Sequence, residues 1–278
     1  MKYYVAAIFL LVTLAYSGRA QVVQEYLGDE SMLYAETKQM NQFFRRFNGE
    51  ENEEGKRYYP RDKMYRDPAL REKYLNMLFD NQNKQLSSQL KSEFVREVND
   101  KTKPEFLDFH GGDWFAEVNA KFRYKGKEEN AVLFLKLERA PNGGSKWIFT
   151  RIHFQPYVKL FEIDTTSQRK FLHPLSHELG FMNLRKAFRD KDEVQEYTAQ
   201  EYYPDFLSIF LYDIKNSNMS FVTVSEVKFH FFQIEGWYFK INRHNRKGYN
   251  AGWLISDLLK VTPDDKDLLT RYIYYESE

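Results

Sequence analysis

The sequence has 278 residues, enough for one large domain or two modest ones with a sizeable core. Its 42% hydrophobic and 29% charged residues exclude a disordered chain. The formal charge is +1, and leaving out residues 1–20, which carry Lys2 and Arg19, takes the 41 basic residues to 39 against 40 acidic ones, so bulk attraction to nucleic acid or anionic lipid is absent.

Met1-Lys2 supplies a short positive start, and Tyr3 to Tyr16 is apolar apart from Thr13. Gly18 and Ala20 then stand at the third and first positions before a cut at Gln21. This reads as a secretory signal peptide over 1–20. The apolar run is shorter than the roughly 20 residues of a membrane span, so the mature chain is predicted to lack an integral span, with an uncleaved anchor as the alternative. The absence of cysteine excludes disulfides and an acylated lipobox. A large, exported, cysteine-free chain suits a bacterial periplasm or cell envelope better than an animal secretory pathway.

Residues 21–30 read as a leader and 31–278 as a single α+β domain. Met40, Phe43, Phe44 and Phe47 recur at helical spacing, ended by Asn48-Gly49. Glu50 to Arg57 reads as a solvated loop. Asp67-Pro68 opens a second helix with an apolar face of Leu70, Tyr74, Met77 and Leu78, and Leu86 to Val98 a third.

The period then changes to two. Trp114, Ala116, Val118, Ala120, Phe122 and Tyr124 share one strand face; Asn130–Arg139 and Lys146–Phe154 follow, separated by the turn Pro141-Asn142-Gly143-Gly144. Residues 156–218 interrupt this first meander as a helical insertion, with helices expected over Pro174–Phe188 and Pro204–Ile214. Strands resume over Phe221–Ile234, Trp237–Asn242 and Trp253–Val261, and a helix from Pro263 to about Tyr275 closes the chain. Aromatics at 17% fit half-buried strands, with a ring-stacking ligand surface as the alternative.

Phe43-Phe44-Arg45-Arg46-Phe47-Asn48, and the stretch from Phe115-Ala116-Glu117-Val118 to Ser145-Lys146-Trp147-Ile148, look like the corresponding helix and hairpin of exported Bacteroidota proteins. The order of helices followed by an antiparallel sheet resembles the NTF2-like (cystatin-like cone) fold; the insertion departs from its minimal form. The resemblance implies a concave pocket between sheet and helices and no particular chemistry.

The motifs are incomplete. Phe109-His110-Gly111-Gly112 resembles the oxyanion loop of lipase-like hydrolases, but the chain has no Gly-x-Ser-x-Gly elbow. His173 and His177 stand four apart beside Glu178, with no third ligand set by spacing. The run Asp190, Asp192, Glu193, Glu196 lacks the glycine of a calcium loop, Gln195 standing at its sixth position. No metal or cofactor is expected.

Two loci remain as ligand candidates. Arg243-His244-Asn245-Arg246-Lys247 is a basic turn whose Arg243 and Arg246 suit an oxyanion. The aromatic hairpin around His230, Gln233 and Trp237 reads as apolar on both faces, covered by the first helices on one side and by the insertion or a partner on the other. His230, Gln233 and Trp237 would form the polar floor of a pocket, with His230 or Asp113 as general base if the protein is an enzyme. The preferred function is a non-catalytic binding or assembly module for a small ligand or an envelope protein. The alternatives are an enzyme using the cone pocket and a cell-envelope interaction subunit.

Overall fold

The computed structural model describes residues 40–276 except 53, 141–142, 163–169, 173–183, 190, 200 and 248–249. The signal, the leader, residues 31–39, the His173–His177 pair and most of the expected Pro174–Phe188 helix lie outside the described residues.

Three helices come first: α1 over 40–47, α2 over Pro68–Met77 and α3 over Ser88–Val98. The α2 helix starts where its cap dictates, because Asp67 accepts from the Leu70 amide at 2.9 Å and Pro68 needs no amide partner. Ser87 caps α3 in the same way. The strands are β1 (Trp114–Tyr124), β2 (Lys127–Arg139), β3 (Ser145–Phe154), β4 (Met219–Phe231), β5 (Trp237–His244) and β6 (Gly252–Lys260). Between β3 and β4 lie α4 (Gln155–Leu160), α5 (Leu184–Ala187), a 3₁₀ turn at Val194–Tyr197 and α6 (Phe206–Lys215); α7 (Pro263–Ile273) closes the described chain.

The six strands of the described residues form one antiparallel sheet in the order β3-β2-β1-β4-β5-β6. Two three-stranded meanders therefore meet through their first strands, β1 and β4. One face carries Trp114, Ala116, Phe231, Phe239 and Ile241 against Phe43, Phe47 and Phe94 of α1 and α3. Farther along the same face, Phe122, Leu133 and Phe154 pack on Tyr157 of α4 and on Phe206 and Phe210 of α6. The opposite face presents Phe115, Phe134, Phe232 and Tyr238 to Ile273 of α7.

Four expectations change. Glu51 is not in a solvated loop: it is 1% exposed and accepts from Gln42 and Arg45, each at 2.6 Å, because its carboxylate balances the guanidinium groups of Arg45 and Arg46 on α1. Of the stripe read from the sequence Tyr74 and Leu78 are buried and Leu70 and Met77 half-buried, while Arg71 and Leu75 join the inward face, so a cation shares it. Strand β2 begins at Lys127, three residues early, because Lys125 and Gly126 both take positive φ (49° and 79°) and make a two-residue turn. The second face of the β4–β5 hairpin is covered by α7 rather than by the insertion.

Candidate functional site

His230 sits on β4 directly across from Phe115 of β1. It is 2% exposed, and its ring stacks on Phe115 with centroids 4.9 Å apart. Its Nε2 lies 2.9 Å from Glu117 Oε2 and its Nδ1 2.9 Å from the Tyr238 hydroxyl. The Glu117 carboxylate also receives Lys228 Nζ at 3.0 Å. Burial would raise the Glu117 carboxyl, yet the hydrogen bonds from His230 and Lys228 outweigh it and hold it at about 2. Burial lowers His230 below its ordinary value, against the opposing pull of Glu117. An ionised carboxylate only accepts, so Nε2–H donates to Glu117 and Nδ1 accepts from Tyr238. This is a Tyr–His–Glu proton wire in form. Both imidazole nitrogens are occupied and the ring is shut off from solvent, so no substrate atom reaches it. The wire is a polar strut joining β1, β4 and β5.

The other expected site residues do not gather around His230. Trp237 lies on the opposite face of the sheet, in the core beneath α3, donating its indole N–H to Glu97 at 2.8 Å. The side-chain period of two separates it from His230, so the two do not share a floor. Gln233 joins the 108–112 loop: its amide nitrogen donates to the carbonyls of Asp108 (2.7 Å) and Gly112 (2.6 Å), and its oxygen accepts from the Asp108 amide. Asp113 is exposed at the start of β1 and pairs with Lys266 of α7 at 3.1 Å. Arg246 points inward to Asp80 (2.6 Å), Gln82 (2.8 Å) and the Asn250 carbonyl (2.6 Å), which occupies its guanidinium within the protein. Arg243 is exposed on β5, paired in register with Trp253 of β6.

Two arrangements escaped the reading of the sequence. His110 Nδ1 lies 2.9 Å from the hydroxyl of Ser145, the first residue of β3. Among the described residues no carboxylate bonds the other nitrogen of that imidazole, so the pair lacks the third group that orients a catalytic base. The second is a cleft of about 490 Å³ at the β3 edge, lined by Lys136 and Arg151 on the strands, by the 203–207 segment and by Tyr274 and Glu276. The only advance signal of it was the basic residue at Lys136 and again at Arg151, on the strand face that α7 covers.

Comparison with protein-family models, curated proteins and solved structures gave no match to this chain. Among the described residues no group of three His, Cys, Asp or Glu side chains stands close enough to hold a metal ion, and no helix is long and apolar enough to cross a membrane.

Proposed function

We propose that this is an exported, non-catalytic assembly module, built on an NTF2-like cone, that pairs with a second copy of itself through α6 and the neighbouring stretch of β4. The observation that carries the reading is that α6 presents large apolar side chains to solvent as well as to the core. Phe206 and Phe210 face the core, while Leu211, Tyr212 and Ile214 face solvent, Tyr212 being 63% exposed. A helix apolar on two faces suits a place between two layers, and only one is supplied by this chain among the described residues.

Strand β4 extends the same surface. β5 pairs with it only over Lys228–Phe231, so Met219–Val227 has β1 on one side and no strand of the described residues on the other. Bulges at Val222 and Ser225 bring Phe221 and Val224, three residues apart, into register with Phe122 and Ala120 on the α6 side. Phe221 is 59% exposed and meets Phe122 edge-on at 5.7 Å. The exposed parts of these side chains, with Val222, amount to on the order of 500 Å² at 150–250 Å² per large side chain. A two-fold interface uses the patch twice, which reaches the roughly 1,000 Å² that a stable interface needs. From Phe206 to Ser225 the only charges are Lys215 and Asp213, and Asp213 is buried on the Tyr157 hydroxyl at 2.7 Å. A charge-poor patch on a nearly neutral chain meets no electrostatic barrier to self-association.

Light scattering on the chain at micromolar concentration tests this. A dimeric mass is expected, falling to monomer in Leu211→Glu/Phe221→Glu, whose substituted side chains are largely exposed and whose far-UV dichroism should stay that of the folded parent. A monomeric parent, or a double variant that remains dimeric, overturns the reading.

A further inference from the structure

The cleft at the β3 edge is independent of the α6 patch and of the buried His230. Its strand wall carries Lys136 of β2 and Arg151 of β3, and its far wall is the 203–207 segment with Tyr203, Phe206 and Leu207. Arg151 is held in place from two sides. Its guanidinium lies 4.8 Å from the centroid of the Tyr274 ring and bonds the Glu276 carboxylate. Tyr274 is itself fixed, edge-on to Phe134 at 4.8 Å and tilted on Phe115 at 4.9 Å. A guanidinium set between a fixed ring and a carboxylate has little conformational freedom left to lose on binding.

The charges on these walls do not cancel in place. Lys136 lies with its ammonium 6.0 Å from the Phe115 ring, and no carboxylate pairs with it among the described residues. Asp205, on the far wall, accepts from the Leu207 amide and the Ser208 hydroxyl as the cap of α6. Among the described residues Glu276 is thus the one carboxylate that engages a strand cation here, and it engages Arg151 alone. The geometry points to this cleft as a binding site for a small organic carboxylate with an apolar body, its carboxylate replacing that of Glu276 on Arg151. Exchanging one carboxylate for another leaves the charge at Arg151 unchanged, and Lys136 adds attraction that Glu276 alone leaves unused. Tyr203, Phe206 and Leu207 receive the apolar body, and a cleft of about 490 Å³ has room for it. A bare phosphate would match the cations and leave the apolar wall wet.

Phenylacetate is the probe, with 2-phenylethanol and inorganic phosphate as controls, followed by amide chemical shifts of the full chain. Saturable shifts are expected at 136, 150–152, 203–207 and 274–276 with phenylacetate. Arg151→Gln should weaken binding at least tenfold, and Glu276→Gln should strengthen it several-fold by removing the internal competitor. Both side chains are partly exposed, so the variants should fold as the parent does. Absence of saturation even in Glu276→Gln, equal affinity in parent and Arg151→Gln, no gain in Glu276→Gln, or equal binding of either control overturns the proposal.

Discussion

Arg71 is a buried cation held by carbonyls instead of a carboxylate. It is 1% exposed, donates at 3.0 Å to the carbonyls of Phe47 and Val98 and also to that of Glu105, and lies over the Phe106 ring at 4.3 Å. Burial, with a smaller push from Arg66, lowers it to about 10. Each carbonyl belongs to a different segment: the end of α1, the end of α3 and the loop before β1. Arg71→Met would fill the volume and remove the guanidinium from all three carbonyls, of which Val98 keeps the Glu105 amide at 3.0 Å. Leaving buried acceptors unmatched costs about 1–3 kcal/mol each before relaxation, so a total loss near 3 kcal/mol is expected in urea unfolding. Arg71→Lys should recover only part of it, since an ammonium does not span three diverging carbonyls. The same saturation explains why Gln233 and Arg246 looked like ligand groups in the sequence. The partners that occupy them include groups 121–125 residues from Gln233 and 164–166 residues from Arg246 along the chain.

Local signals decide the elements. The α7 helix carries a reciprocal cap: the Thr262 hydroxyl accepts from the Asp265 amide at 3.2 Å, and Asp265 accepts from the Thr262 amide at 3.0 Å. Its inner residues Leu269 and Ile273 cover Phe115, Phe134 and Tyr238, so fraying at its start uncovers a core face. Thr262→Ala should cost about 1 kcal/mol and lower the melting temperature by roughly 2–4 °C. A melting temperature unchanged by Thr262→Ala would mean that packing alone holds the helix. Strand β1 was legible to the residue from its alternation, as was the start of α2 from Asp67-Pro68. The start of β2 was not, because Lys127-Glu128-Glu129 has no apolar alternation and only the Lys125-Gly126 turn marks where the strand begins.

The whole molecule depends on the seam where the two meanders meet. Glu117 of β1, with Lys228 and His230 of β4 and Tyr238 of β5, crosses that seam with buried polar bonds. Its response to acid follows from the direction of each shift. Glu117 is held low in the folded protein, so its stabilisation is complete above its unfolded value and is lost as pH falls from about 4.5 towards 2, on the order of 2–3 kcal/mol in all. His230 is also held low, so the unfolded chain binds its proton first, and stability begins to fall as pH drops below 6.5. Melting followed from pH 8 to 3 should therefore decline in two stages. His230→Phe should flatten the stage that begins below 6.5, leaving a residual slope from His153, which burial also lowers. An unaltered slope would place the acid sensitivity elsewhere.

The sequence by itself determined the element types, several of their ends and the balance of charge, because caps, turns and side-chain periods act over a few residues. It also marked His230 and Trp237 as members of one hairpin. Only the tertiary structure decided that they face opposite ways, that β1 and β4 join two meanders into one sheet, that α7 covers the second face, and that Lys136 and Arg151 share a cleft with Glu276. Those outcomes rest on contacts between residues far apart in the chain. Such contacts form where apolar faces of many elements can be buried at once, and no local pattern specifies which face meets which.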